Sequence, residues 1–211
     1  DGIRDVAVTG VQTCALPICQ ALLYALDRET MNKQLFEGKQ PIAHSFINPL
    51  DWMIDETLPR YDFDAARAVR LLEEAGWKEL RQGVRYNAAG ERLSFELMAA
   101  SGNRTIETVE QVLQSQWRRI GVEIRMRNEP ARVFFGETVR KRKYPAMALF
   151  AWVSSPENVP RTTLYSDQIP TAENNYSGLN DTGFSNAEVV SLIERIEVEL
   201  DKEKDRKSTR L

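Results

Sequence analysis

Any chemistry in this chain must be built from few side chains. The only two cysteines, Cys14 and Cys19, fall within GVQTCALPIC, and the only histidine, His44, falls in PIAHSF. A Cys14 to Cys19 disulfide would close a small loop stiffened by Pro17, whereas a zinc site would need a second Cys/His pair that the sequence lacks. LPIC ends like the acylated-cysteine box of a lipoprotein, but Thr13 to Ala15 do not make the long apolar segment such a signal requires. A Ser/His/Asp or Cys/His arrangement would have to use His44, which has no nucleophile motif beside it and reads as a loop histidine. Glu73 with Glu74, or Glu194 with Glu197, could pair as acid and base, yet the helical pattern sets them on solvated faces. There is no glycine-rich phosphate loop and no metal-ligand spacing, so neither metal nor cofactor is expected. RKRK, Arg140 to Lys143, reads as cations closing a helix rather than as a nucleic-acid patch, and no nucleic-acid partner is expected. Enzymatic activity is not expected.

The stretch around the cysteines has an echo at the other end of the chain. One codon choice for QTCALPI, Gln12 to Ile18, has a complementary strand that translates in frame as DRKSTRL, which is Asp205 to Leu211. Two ends of a protein have no physical reason to be complements, and this DNA resembles a common sequencing adapter. Residues 1–19 and 205–211 are therefore expected to be adapter-derived tails, the first disordered and with Cys19 as its junction. The body is then 20–204, a fragment, and it contains no cysteine, which is compatible with an oxidising compartment.

The body must supply the scaffold. The 211-residue chain is 42% hydrophobic and 28% charged with a formal net charge of -3, which suits one soluble α/β domain and excludes a strongly polyanion-binding surface. No apolar run reaches the ~18 residues of a membrane span, and no export signal opens the chain. QALLYALDRETMNKQLFEG predicts two short helices, the second capped by Asp27 and ending at Gly38. Residues 40–61 hold three prolines and no period, so they predict a long packed loop. YDFDAARAVRLLEEAGW predicts a helix capped by Asp62 or Asp64 and stopped at Gly76, with Trp77 packing back. Around the NAAG turn, Val84 to Tyr86 and Leu93 to Met98 predict a hairpin whose second arm enters a sheet. TIETVEQVLQSQWRRIG predicts an amphipathic helix, VEIRMR a strand, ARVFFGETVRKRKY a helix and AMALFAWV a buried parallel strand. That β-α-β-α-β order favours a parallel sheet with crossover helices. A polar loop over 154–185 and a final helix, NAEVVSLIERIEVELDKEK, follow.

In open α/β sheets, ligands bind beyond the carboxyl ends of strands. The junction FAWVSSPENVPRTTLY places Trp152, Ser154 and Ser155 there, with Arg161 and Tyr165 further on, although Trp152 also reads as a core residue. Asn174, from the asparagine-rich loop, completes the candidate set.

In this order the segments resemble the C-terminal lobe of the family 5 extracellular solute-binding proteins, the oligopeptide and dipeptide receptors of bacterial ABC importers. ALLYALDRETM, YDFDAARAVRLLEEAGW, VLQSQWRRIGVEIRM and NYSGLNDTGFSNAEVVSLIERI are similar to family motifs, and together they cover nearly all of residues 20–204. The resemblance implies a lobe of the type II periplasmic-binding-protein class, with a mixed, mainly parallel sheet and flanking helices. It also implies capture of a peptide or other small solute in an interlobe cleft by a monomer, and delivery to ABC permease subunits in the membrane. The location it implies is the periplasm, or the cell surface if tethered. An isolated lobe is expected to bind weakly. Many peptide-binding members carry an aspartate where this chain has Ser155, and a hydroxyl is a much weaker partner for a peptide ammonium. The solute is therefore left open among peptides, modified peptides and sugar-like or cationic compounds. The alternative reading is a ligand-sensing domain of a transcriptional regulator or chemoreceptor system, with an enzyme built on His44 third.

Overall fold

The computed structural model describes residues 16–45, 47–52, 54–55, 57–151 and 159–199. Its first element is α1 (Leu16–Tyr24), which carries Pro17 in its first turn, where a missing N–H costs nothing. Ile18, Ala21, Leu22 and Tyr24 are buried, so the helix begins before the body boundary expected at Gln20 and the buried stripe runs back to Ile18. Cys14 lies outside the described residues. Asp27 then accepts the Thr30 N–H at 2.9 Å and opens α2 (Arg28–Phe36), which closes at Glu37 in a left-handed conformation just before Gly38. After the loop over 40–61, Asp64 accepts the Arg67 N–H at 2.8 Å to cap α3 (Ala65–Glu74), which packs on α1. Gly76, at φ 92, stops it, and Trp77 folds back so that its N–H reaches the Leu72 carbonyl at 2.9 Å.

The hairpin differs from expectation. β2 (Val84–Tyr86) pairs antiparallel with β1 (Glu79–Arg81), not with the segment after NAAG, which makes only a single bridge between Tyr86 and Arg92. Gln82 and Gly83 connect β1 to β2 at φ 50 and 75, and two consecutive left-handed residues give the turn whose twist matches paired strands. β1 is exposed throughout, so it has no apolar alternation by which to be recognised.

β3 (Ser94–Ala99) is the middle of a three-stranded parallel sheet in the order β4-β3-β5, with β4 (Glu123–Met126) and β5 (Met147–Leu149) on its two sides. The register sets Phe95 beside Ile124 and Met98 beside Ala148. α4 (Arg104–Arg119) crosses from β3 to β4, capped by Asn103 and ended by Gly121 at φ 87. The return to β5 begins as α5 (Ala131–Val133) and continues as a π-helical turn over Phe134–Val139. Among the described residues the antiparallel pairing thus sits in a separate ribbon, and the three-stranded sheet is parallel. α6 (Arg161–Leu164), a short 3-10 turn and α7 (Ala187–Ile196) follow.

Neighbouring residues of β3 point to opposite faces. Leu97 joins a cluster with Leu22, Leu72, Leu93, Trp117 and Val122, whereas Met98 joins Phe134, Val139 and Tyr144. The Trp117 indole donates to the Leu22 carbonyl at 2.9 Å and ties α4 to α1. Arg85, itself buried, donates to the carbonyls of Ile120 and Trp77, each at 2.8 Å, and sits 3.3 Å from Glu73. Its charge is therefore accommodated by backbone acceptors that α3 and α4 leave at their ends. No described helix is long and apolar enough to cross a membrane.

Candidate functional site

Because β3, β4 and β5 run parallel, their carboxyl ends lie at one edge of the sheet. The loops leaving β3 and β4 are joined there: Ser101 N–H donates to the Glu129 carbonyl at 2.8 Å, and Ala100 bridges Glu129. Side chains hold them as well. Glu107, in the first turn of α4, accepts the Gly102 N–H at 2.9 Å, and the Thr138 hydroxyl donates to Glu129 at 2.5 Å. Asn128 donates to Glu110 at 2.6 Å. Glu110 is fully buried, and burial pushes its carboxyl above the usual range while the bond from Asn128 pulls the other way.

Three phenylalanines meet where β5 ends. Phe134, Phe135 and Phe150 pack edge-to-face in every pairing, with centroids 5.0 to 6.1 Å apart. Phe134 is fully buried, but Phe135 is 46% exposed, and the exposed Val133 precedes the pair. Successive residues of a helix point in different directions, so Phe134 fills the core while Phe135 stays at the surface, and π-helical turns cluster at functional sites. The result is a partly exposed aromatic ledge at the sheet's carboxyl edge.

Of the six candidates from sequence, Trp152, Ser154 and Ser155 lie outside the described residues. Arg161 and Tyr165 come together at α6. The Arg161 guanidinium lies 3.8 Å from the centroid of the Tyr165 ring and donates to Glu197 at 2.9 Å, while Tyr165 donates its hydroxyl proton to Glu194 at 2.5 Å. That bond raises the Tyr165 pKa and, with the ion pair, fastens α6 to the end of α7. Asn174 serves its own turn: its oxygen accepts from Thr171 and Ser177 N–H at 2.9 and 3.1 Å, and its amide donates to the Ile169 carbonyl at 2.8 Å.

Sequence reasoning did not single out Asn180, which is fully buried and organises the loop before α7. It donates to the carbonyls of Tyr165 and Phe184 and accepts the Phe184 N–H at 3.0 Å. Phe135, Phe150 and Glu110 were also missed. FF within the predicted helix ARVFFGETVRKRKY was the visible signal for the first, while Glu110 had none, because its partner Asn128 comes from the far end of the crossover.

Residues 19–171 match the sequence profile described as bacterial extracellular solute-binding proteins, family 5 Middle. The oligopeptide-binding protein AppA of Bacillus subtilis (strain 168) is 33% identical over 108 residues, 50% of this chain and 20% of that protein. The crystal structure of the oligopeptide binding protein from Thermus thermophilus complexed with pentapeptide superposes with a TM-score of 0.83 at 30% identity, over 91% of this chain and 34% of that one. NikZ from Campylobacter jejuni in complex with Ni(L-His) superposes with a TM-score of 0.78 at 26% identity, over 92% and 38%. The chain therefore spans about a third of the length of the solved relatives it matches.

Proposed function

The chain belongs to the family 5 bacterial extracellular solute-binding proteins, and from that premise we propose that it forms the solute-facing lobe of a receptor that delivers a peptide or other small solute to an ABC permease. Its α/β fold is of the type II periplasmic-binding-protein class. The observation that carries the proposal is the single sheet edge at which three parallel strands end beside an exposed aromatic ledge. A preformed apolar surface with few polar groups suits a solute held by contact and released unchanged. In this reading Trp152, Ser154 and Ser155, which follow β5 in sequence, meet the solute together with Phe135. Arg161 and Tyr165 hold α6 to α7, and Asn174 holds the turn that follows.

The relatives are binding proteins, and this chain is proposed to bind without chemical turnover. Its working location would be the periplasm or the outer cell surface, as a monomer with no nucleic-acid partner. The crystallised relatives carry ligands as different as a pentapeptide and Ni(L-His), which leaves the solute class broad. Ser155 argues against anchoring a free peptide ammonium by a carboxylate at that position, because a neutral hydroxyl forms the weaker bond. The test is thermal stabilisation of the complete receptor carrying this lobe by a library of peptides, sugars and metal chelates. A saturable shift with one class, with the solute recovered intact, supports the proposal. Recovery of a hydrolysed product overturns it.

A further inference from the structure

The loop over 40–61 is held at both ends by one side chain. Arg28, at the start of α2, donates to the Ala43 carbonyl at 2.5 Å and to the Tyr61 carbonyl at 3.1 Å. Its guanidinium also stands 3.4 Å from Nδ1 of His44. A guanidinium can only donate, so Nδ1 is the acceptor and the imidazole proton sits on Nε2. Closing the loop in this way leaves a cavity of about 230 Å3 inside it, bounded by His44, Ser45, Asp55 and Arg60 and by an apolar wall that includes Ile42, Ile54 and Leu58. None of these residues belongs to the sheet edge described above.

One carboxylate and one guanidinium line the cavity, Asp55 and Arg60. Asp55 directs one oxygen to Thr57, accepting its N–H at 2.9 Å and its hydroxyl at 2.7 Å, so that oxygen serves the loop's own turn. Burial first, and then the nearby charges of Arg28 and Arg60, hold His44 below the usual imidazole range against an opposing pull from Asp62. A neutral Nε2–H and the Arg60 guanidinium are both donors, and both residues line this partly apolar hollow. Groups of this kind complement an anion attached to an apolar body.

We propose that this cavity is a second ligand site, separate from the solute cleft, that takes a small apolar monocarboxylate with its carboxylate toward Arg60 and the His44 Nε2–H and its body against Ile42, Ile54 and Leu58. The cavity suits an acid the size of benzoate and is too small for a peptide of several residues. The Arg60 guanidinium is the main determinant of charge selection, and the apolar wall selects against inorganic anions.

The test uses benzoate and its neutral isostere benzamide, followed by NMR of the isotope-labelled protein. His44 is the chain's only histidine, so its ring signals are unambiguous. Saturable benzoate shifts at His44 and at the backbone amides of residues 42–60 are expected, with benzamide at least about tenfold weaker. Arg60→Gln should weaken benzoate binding about tenfold or more while its melting temperature and spectrum elsewhere stay those of the parent. Arg132→Gln, outside the cavity, should change nothing. Equal binding of benzoate and benzamide, unaltered benzoate binding in Arg60→Gln, or no saturable shift overturns the proposal. None of these outcomes bears on solute capture at the sheet edge.

Discussion

The Tyr144 hydroxyl donates a 2.6 Å hydrogen bond to the backbone carbonyl of Asp181, which joins the approach to β5 to the loop before α7. Arg142 adds a second bond to the same carbonyl at 3.1 Å. The Asp181 side chain is buried by this closure, and its Oδ2 has no hydrogen-bond partner among the described residues. Burial pushes its carboxyl up from 3.8 to about 6, with Arg142 pulling down by less.

The sign of the consequence follows from which state binds the proton more tightly. Between pH ~4 and ~6 the folded protein holds the Asp181 proton and the unfolded chain releases it, so stability falls as pH rises through that window. Asp181→Asn removes the ionisation while keeping the shape. The variant is expected to exceed the parent in stability by on the order of 1–3 kcal/mol at pH 7, with the difference vanishing below pH ~4. Urea unfolding at both pH values measures it. A constant difference at both would show that the carboxyl is not destabilised in the fold.

Gly178 shows a constraint of a different kind. At φ +100, a Cβ there would stand 2.1 Å from the Gln168 carbonyl oxygen, which is backbone and cannot swing aside. Asn180 N–H donates to that same carbonyl at 3.0 Å, so relieving the clash would break the loop's own bond. Gly178→Ala is expected to cost about 3 kcal/mol or more in denaturant unfolding. A loss under about 1 kcal/mol would mean that the loop rearranges freely.

How much of this was legible in the sequence depended on range. Asp27, Asp64 and Asn103 cap helices because their side chains reach an N–H only a few residues away, and Gly76 and Gly121 stop helices by their own backbone freedom. Local patterns of that kind can be read directly, and so could the β-α-β-α-β order. β1 could not, because Glu79, Leu80 and Arg81 are all exposed and only Gln82–Gly83 betrays the turn. The π-helical offset between Phe134 and Phe135 has the same periodic signature as an ordinary helix. Asp181 and Asn180 were opaque for a further reason: their burial is produced by Tyr144, Arg142 and the Tyr165 carbonyl, which come from distant segments. Arg161 and Tyr165 stood out by residue type alone, and what they hold, Glu197 and Glu194, is visible only once α6 and α7 meet.

Ile18 tests where the folded body begins. It is 7% exposed and belongs to the cluster around Leu72 and Trp117, two residues past Leu16 at the start of α1. Ile18→Ala should therefore cost about 2 kcal/mol, the usual result of removing part of a buried aliphatic side chain. An unchanged denaturation midpoint would place the body's first residue after Ile18 and support assigning the whole of 1–19 to a tail.

Phe134 and Phe135 are neighbours in sequence with opposite expected phenotypes. Phe134 is fully buried against Met98, Val139 and Tyr144, so Phe134→Ala should destabilise the lobe by about 3–5 kcal/mol. Phe135 is half-exposed and rests edge-on against Phe134 and Phe150, so its truncation leaves no closed cavity and should cost under about 1 kcal/mol of stability. If the ledge faces the solute, Phe135→Ala should instead weaken binding by about tenfold, the scale of a lost aromatic contact. Calorimetric titration of the complete receptor with its stabilising solute, set beside a melt of each variant, separates the two effects. Affinity equal to the parent in Phe135→Ala would remove the ledge from the binding surface. The three strand ends would then have to act through the residues that follow Phe150 alone.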